Sequence, residues 1–164
     1  YQPTVVATGI ITNALFIAYQ ITGSQESAEL ILSAAKFIIK DLKRTYKEDS
    51  FCFSYSPFDQ QQVFNASMKG VRVLAQAYSI NQNIEYKELA RQAATFVVSH
   101  QKEDGAWAYS LTKTGTWTDN YHTGYVLDCL DEYQKLTGDN QWNENIDKGY
   151  RFYVNHFIEE NTNE

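Results

Sequence analysis

Between residues 101 and 125 the chain reads QKEDGAWAYSLTKTGTWTDNYHTGY, and its most chemically capable side chains gather there. His122 follows Asn120 and Tyr121, with Asp119 three positions ahead of it. If Asp119 caps a helix, His122 falls in the first turn, where the positive end of the helix dipole disfavours the imidazolium. A neutral imidazole there accepts a proton near pH 7. Tyr121 or Tyr109 would then be its proton partner, and Asn120 would polarise a carbonyl or carboxylate. The competing reading is a structural His bonded to a neighbouring loop carbonyl. Trp117, Tyr109, Tyr55 and Trp107 offer flat aromatic faces of the kind that stack on the apolar side of sugar rings.

Paired carboxylates would suit glycoside hydrolysis, which needs an acid and a base or nucleophile roughly 5–10 Å apart. Asp59, Asp104 and Asp119 all fall in the same class of loop. Asp104 precedes Gly105 in a turn, where Asp bonds locally, and Asp119 has a capping role of its own. Cys52 and Cys129 are the only cysteines, with no second Cys at metal-ligand spacing, so no zinc site is expected and Cys129 reads as a small buried hydrophobe. Asp119, His122 and Cys129 form no zinc triad, because two helical turns, about 10 Å, separate His122 from Cys129. No cofactor is implied. Lys69, Arg72 and Lys113 are the basic residues expected near this region, too few for a strongly anionic polymer.

The whole-chain balance agrees. A net charge of −6 and a pI near 5.1 argue against nucleic-acid binding. The hydrophobic share of 43% in 164 residues suits one folded domain rather than disorder. No apolar run is expected to reach the roughly 18 residues of a membrane span, and no signal segment is visible. A cytoplasmic location is the resulting expectation. Because the chain opens on Tyr1, it also reads as a fragment.

These residues must be positioned by something, and the elements repeat. LFIAYQITGSQ (15–25), VLAQAYSINQN (73–83) and CLDEYQKLTGDN (129–140) each run from an apolar helical stretch through a Tyr into a polar turn, with Tyr19, Tyr78 and Tyr133 separated by 59 and 55 residues. AAKFIIKDLK (34–43) and AATFVVSHQK (93–102) match in the same way. Apolar residues at three- and four-residue spacing predict helices over about 4–22, 26–45, 62–80, 85–101, 119–137 and 142–159. No strand alternation is sustained. Gly23 and Gly138 are placed to end helices, and Ser24 and Asp139 to cap the next ones. The fold expected is all-α: three consecutive antiparallel hairpins, about 4–45, 62–101 and 119–159, in a single domain 1–164 forming part of an (α/α) toroid. The first helix of each pair would lie inside and the second outside. Turns from inner to outer helix are short, and the returns at 46–61 and 102–118 are long. All the long ones must emerge at one end, which becomes the working face.

Gln101, Gly105 and Trp107 match the Gln-x-x-x-Gly-x-Trp pattern, and here the chain resembles the prenyltransferase and squalene-cyclase repeat superfamily. That resemblance implies that Trp107 plugs the gap between adjacent hairpins. Trp117, Asp119, Asn120, Tyr121, His122, Thr123 and Gly124 resemble a segment that opens an inner helix in bacterial proteins linked to polysaccharide biosynthesis and processing. The resemblance implies a toroid of about six hairpins, so that three are missing, and an activity on carbohydrate of lyase, hydrolase or epimerase type. Some such proteins carry the label delta-aminolevulinic acid dehydratase, an activity of a βα barrel, and no βα alternation occurs here. The ligand expected is a saccharide. Two other readings stand beside it: a non-catalytic hairpin scaffold for protein binding, and isoprenoid cyclisation or transfer, for which no Asp-x-Asp-Asp or Asp-Asp-x-x-Asp cluster is present. A half-toroid would leave apolar flanks, so self-association, or packing on a missing C-terminal half, is expected.

Overall fold

The computed structural model describes residues 2–158 as six helices and one β-hairpin, in the order α1 (Val5–Thr22), α2 (Gln25–Lys40), β1 (Arg44–Lys47), β2 (Ser50–Phe53), α3 (Phe64–Asn81), α4 (Ile84–Val98), α5 (Asn120–Thr137) and α6 (Asn143–Phe157). The expected end of the third hairpin at residue 159 lies outside the described residues.

Local chemistry sets the helix ends. The Thr4 hydroxyl accepts the Ala7 N–H at the start of α1, and the Ser24 hydroxyl accepts the Ser27 N–H at the start of α2. Gly23 (φ 69°) and Gly138 (φ 70°) take the left-handed conformation and return their N–H groups to Tyr19 and Gln134, closing α1 and α5. Gln82 does the same after α3, so the middle hairpin turns without glycine. Asp139 does not cap α6. Its carboxylate accepts the Tyr133 hydroxyl and the Gln141 N–H, and α6 is instead set by the Gln134 side chain, which accepts the Trp142 N–H and donates to Asn143. Helix α4 stops at Val98 rather than 101, because His100 and Gln101 tighten into bonds to Val97 and Val98.

The largest departure from expectation follows α2. The predicted helix to residue 45 ends at Lys40, and Arg44–Lys47 pairs antiparallel with Ser50–Phe53 in the register Arg44↔Phe53 to Lys47↔Ser50. Both strands are four residues long, and all of β2 is buried, so the alternation that marks a half-buried strand never develops. Phe51 and Phe53 meet edge to face at 4.9 Å, with the Arg44 guanidinium 5.0 Å over Phe51.

Helices α1, α3 and α5 pack side by side as an inner layer, with α2, α4 and α6 behind them. Helix α3 lies between α1 and α5 and against α2 and α4, which is why every residue from Phe64 to Ala77 is buried. Helix α1 also corrects the expectation about apolar runs. Its 18 residues have a mean hydropathy of 1.5, long and apolar enough to cross a membrane by length and composition. Val5, Gly9, Thr12 and Phe16 face the other helices, and Gly9 is needed because a Cβ there would strike the Lys69 side chain. Ile10, Ile17 and Ile21 are left exposed on the same helix.

The Gln-x-x-x-Gly-x-Trp segment is the clamp between the second and third hairpins. Gln101 donates to the Gly105 and Asn145 carbonyls, and Asn145 returns a bond of 2.7 Å to the Gln101 oxygen. Gly105 holds φ 99° against the Lys148 backbone, leaving no room for a Cβ. Trp107 is fully buried, donates its indole N–H to the Val97 carbonyl at 2.9 Å, and lies against Gly149 of α6.

Candidate functional site

The segment from 108 to 119 is a folded loop. Tyr109 donates its N–H to Trp117, Ser110 donates to Gly115, and Leu111 and Phe64 cross-link the loop to the start of α3 through Gln62 and Tyr109. Thr118 anchors the far side by donating its hydroxyl to the Trp107 carbonyl. The loop therefore hangs from the buried Trp107 and ends on the first turn of α5.

That anchoring brings four side chains together. Tyr109 and Trp117 stack face to face at 4.4 Å with 10° between their planes, and the His122 ring stands edge-on to both, at 4.8 and 5.2 Å. Asp119 caps α5 by accepting the His122 N–H at 2.7 Å, and the same carboxylate meets His122 Nδ1 at 2.7 and 2.9 Å. One residue thus starts the helix and orients the imidazole. With Nδ1–H directed to the carboxylate, the neutral ring leaves Nε2 free to accept a proton. Tyr55 lies close enough to raise the Tyr109 phenol above its ordinary range, after burial, which is the larger cause. One face of Trp117 is covered by Tyr109, and the side chain remains 44% exposed.

Other candidates stand apart. Tyr121 is strongly exposed, and among the described residues no hydrogen bond links the Asn120 or Tyr121 side chain to His122. Asp59 is bound locally, accepting the Tyr55 and Gln61 N–H groups and the Ser56 hydroxyl. Asp104 accepts the Ala106 N–H within its turn. No pair among Asp59, Asp104 and Asp119 shares a partner. Cys129 is wholly buried, and burial pushes its thiol up to about 12.

The basic residues of α3 do not sit on the surface. Lys69 is fully buried, its Nζ 3.4 Å from the centre of the Tyr125 ring, and desolvation lowers its pKa. Arg72 is bonded to Asp128 of α5 at 2.6 Å. This pairing went unread in the sequence, although Asn65, Lys69, Arg72 and Gln76 fall at four-, three- and four-residue spacing on a helix that is otherwise apolar. Such a stripe is the signal that could have found it.

No protein-family model matches the chain, and no curated protein matches it. The fold is similar to that of a solved glycoside hydrolase from family 105 of C. acetobutylicum ATCC 824, with a TM-score of 0.76 at 12% identity. The match covers 99% of this chain and 51% of the other, so the chain spans about half the length of that structure. At this identity the likeness is one of fold, and the three hairpins form an α/α-toroid-like helical array.

Proposed function

We propose that the chain is part of an α/α-toroid protein that binds or acts on carbohydrate, in the making or processing of a bacterial polysaccharide. The observation that carries the reading is the stacked Tyr109–Trp117 pair with one Trp117 face open beside an Asp119-oriented His122. A sugar ring laid on Trp117 would present its hydroxyls to His122 Nε2. Any chemistry would use His122 as general base or acid, Tyr109 or Tyr121 as its proton partner and Asn120 as a polariser. The distant fold likeness to a glycoside hydrolase is consistent with a carbohydrate-processing protein. A glycan array with the wild type, Trp117→Ala and His122→Ala is the test. Saccharide binding that falls about fivefold or more on losing Trp117 supports the reading, since one stacked ring contributes about 1 kcal/mol or more. Absence of saccharide binding by the wild type removes it.

A second reading, a hairpin scaffold for another protein, draws on the exposed isoleucines of α1. A stoichiometric partner captured by the wild type and lost when Ile10, Ile17 and Ile21 become Gln, with His122→Ala unaffected, would favour it.

A further inference from the structure

The first hairpin leaves one face without a neighbour. Helix α1 carries no charged residue, and behind its packed side of Val5, Gly9, Thr12 and Phe16 lies an equally apolar exposed side. Ala7, Ile10, Ala14, Ile17 and Ile21 recur there at three- and four-residue spacing, and Ile11 beside them is 58% exposed. A helix apolar all round belongs between neighbours on both sides. Helix α2 extends the face. Its Ile39 lines a cleft with Glu85 and Tyr86 of α4, and Leu30, nine residues or two and a half turns away, is exposed on the opposite edge.

Three features say what covers this face. The first is a two-fold pattern. Ala14 and Ser33 each lie nine residues from the Gly23–Ser24 turn, so they stand level on two antiparallel helices. About Ala14, Ala7 mirrors Ile21, Ile10 mirrors Ala18 and Ile11 mirrors Ile17, so an antiparallel copy of α1 sets alanine against isoleucine at two of these three pairs and alanine against alanine at the centre. The second is charge. Exposed Glu26 and Lys40 lie seven residues either side of Ser33, just under four turns apart and so on one edge of α2. Neither has an ion-pair partner among the described residues. A copy turned about the same axis brings Glu26 to Lys40 of the second copy, twice over. The third is the far flank of the array, where Asp128, Asp131 and Asp147 surround Leu127, Ile146 and Tyr150 of α5 and α6. A head-to-tail contact would press those carboxylates onto an uncharged helix and Glu26, with no cation on α1 to answer them.

We propose that the free face of the first hairpin is a two-fold interface with a second copy of this chain, the axis crossing α1 at Ala14 and α2 at Ser33. The inference is independent of the carbohydrate reading. Such an interface uses the same patch on both copies and closes at two. A face about 27 Å long and two helices, about 20 Å, wide covers about 540 Å² per copy, or about 1,100 Å² in the pair. That clears the roughly 1,000 Å² of a specific contact and falls short of a permanent one, so the dimer forms with rising concentration.

Sedimentation velocity over a concentration series at low salt reads the result on the full chain. Wild type should move from the 18.9 kDa monomer to a species of twice that mass and no larger. Ala14→Arg, at an exposed helical position, sets two like charges on the axis and should raise the dissociation constant at least about tenfold. Glu26→Lys and Lys40→Glu should each raise it about fivefold or more, and the double variant, which restores the net charge of −6, should return to within threefold of wild type. Cys52 and Cys129 are buried, so a short bismaleimide reads only an added thiol. Ala14→Cys should cross-link to a covalent dimer, and Ala7→Cys should not, because antiparallel copies hold those positions about 21 Å apart at 1.5 Å per residue. A monomer at every concentration overturns the proposal, as does a swap that fails to restore dimers or cross-linking at Ala7 equal to that at Ala14. A ladder of larger species weakened by Asp147→Asn would assign the face to head-to-tail stacking instead. A monomer that floats with neutral phosphatidylcholine vesicles would assign it to a lipid surface.

Discussion

Replacing Trp107 tests whether the second and third hairpins are clamped by one side chain. The indole is fully buried, its N–H bonds to Val97, and α6 reaches it at Gly149, where an added Cβ would lie 2.7 Å from the ring and 2.8 Å from Leu127. Trp107→Ala removes a large buried side chain, which costs about 3–5 kcal/mol. It also removes the indole bond to the Val97 carbonyl, which keeps the His100 N–H, a further cost of about 1 kcal/mol. At about 2–4 °C per kcal/mol for this chain length, Tm should fall by roughly 10 °C or more. Gly149→Ala supplies the sign test. In an open helix interior the change stabilises by about 0.5–1 kcal/mol, but here the new methyl strikes the indole, so the single variant should be destabilised. In the Trp107→Ala background the ring is gone, Leu127 can turn aside, and the same substitution should become neutral or stabilising. Urea denaturation of the four proteins gives the coupling, expected at about 1–3 kcal/mol and of opposite sign to the separate losses. A Trp107→Ala cost under about 2 kcal/mol, or additive effects, would refute the clamp.

Three other outcomes follow from the same structure. Lys69→Met keeps the stem that packs on Gly9 and removes a buried ammonium with no hydrogen bond, so despite losing the Tyr125 contact it should be neutral or more stable by about 1–3 kcal/mol in urea. Because the folded state lowers the Lys69 pKa, the unfolded chain binds more protons between the lowered and the ordinary value; wild-type stability should therefore gain with rising pH across that alkaline window, and Lys69→Met should lack the gain. Cys52 and Cys129, both buried and both pushed up to about 12, should resist iodoacetamide at pH 8 in the native protein and react once it is unfolded; rapid native labelling of either would contradict their burial. The exposed Ile10, Ile17 and Ile21 should drive concentration-dependent self-association, visible by light scattering and reduced when all three become Gln.

How much of this could be read from residues alone depends on the range of the interaction concerned. Helix ends made by one residue and its own turn were legible: Gly23, Gly138, Ser24 and Asp119 act where their types place them. The repeat of Tyr19, Tyr78 and Tyr133 carried the hairpin order, because each unit must bury the same face against its neighbour. The β-hairpin at 44–53 was hidden because KDLKRTYKE keeps helix-compatible spacing and β2 is buried on both sides. Asp139 looked like a cap but bonds the Tyr133 hydroxyl, a contact that exists only once the hairpin has closed. At the site, Asp119 and His122 were legible as neighbours within one helical turn, whereas the Tyr109–Trp117 stack depends on how the loop folds back on itself. The Arg72–Asp128–Glu132 cluster was invisible for the same reason on a larger scale, since its members lie 56 and 60 residues apart in the chain and meet only across helices.

The most direct test of the carbohydrate reading is the set of indole N–H signals followed by NMR during titration with the saccharide selected on the array. The chain has three tryptophans, of which Trp107 and Trp142 are buried and Trp117 is exposed. Saturable shifts of the Trp117 indole and of the His122 imidazole, with Trp107 unmoved, are the predicted result. Saturation that leaves Trp117 and His122 unchanged, or that moves only signals outside this loop, would contradict it.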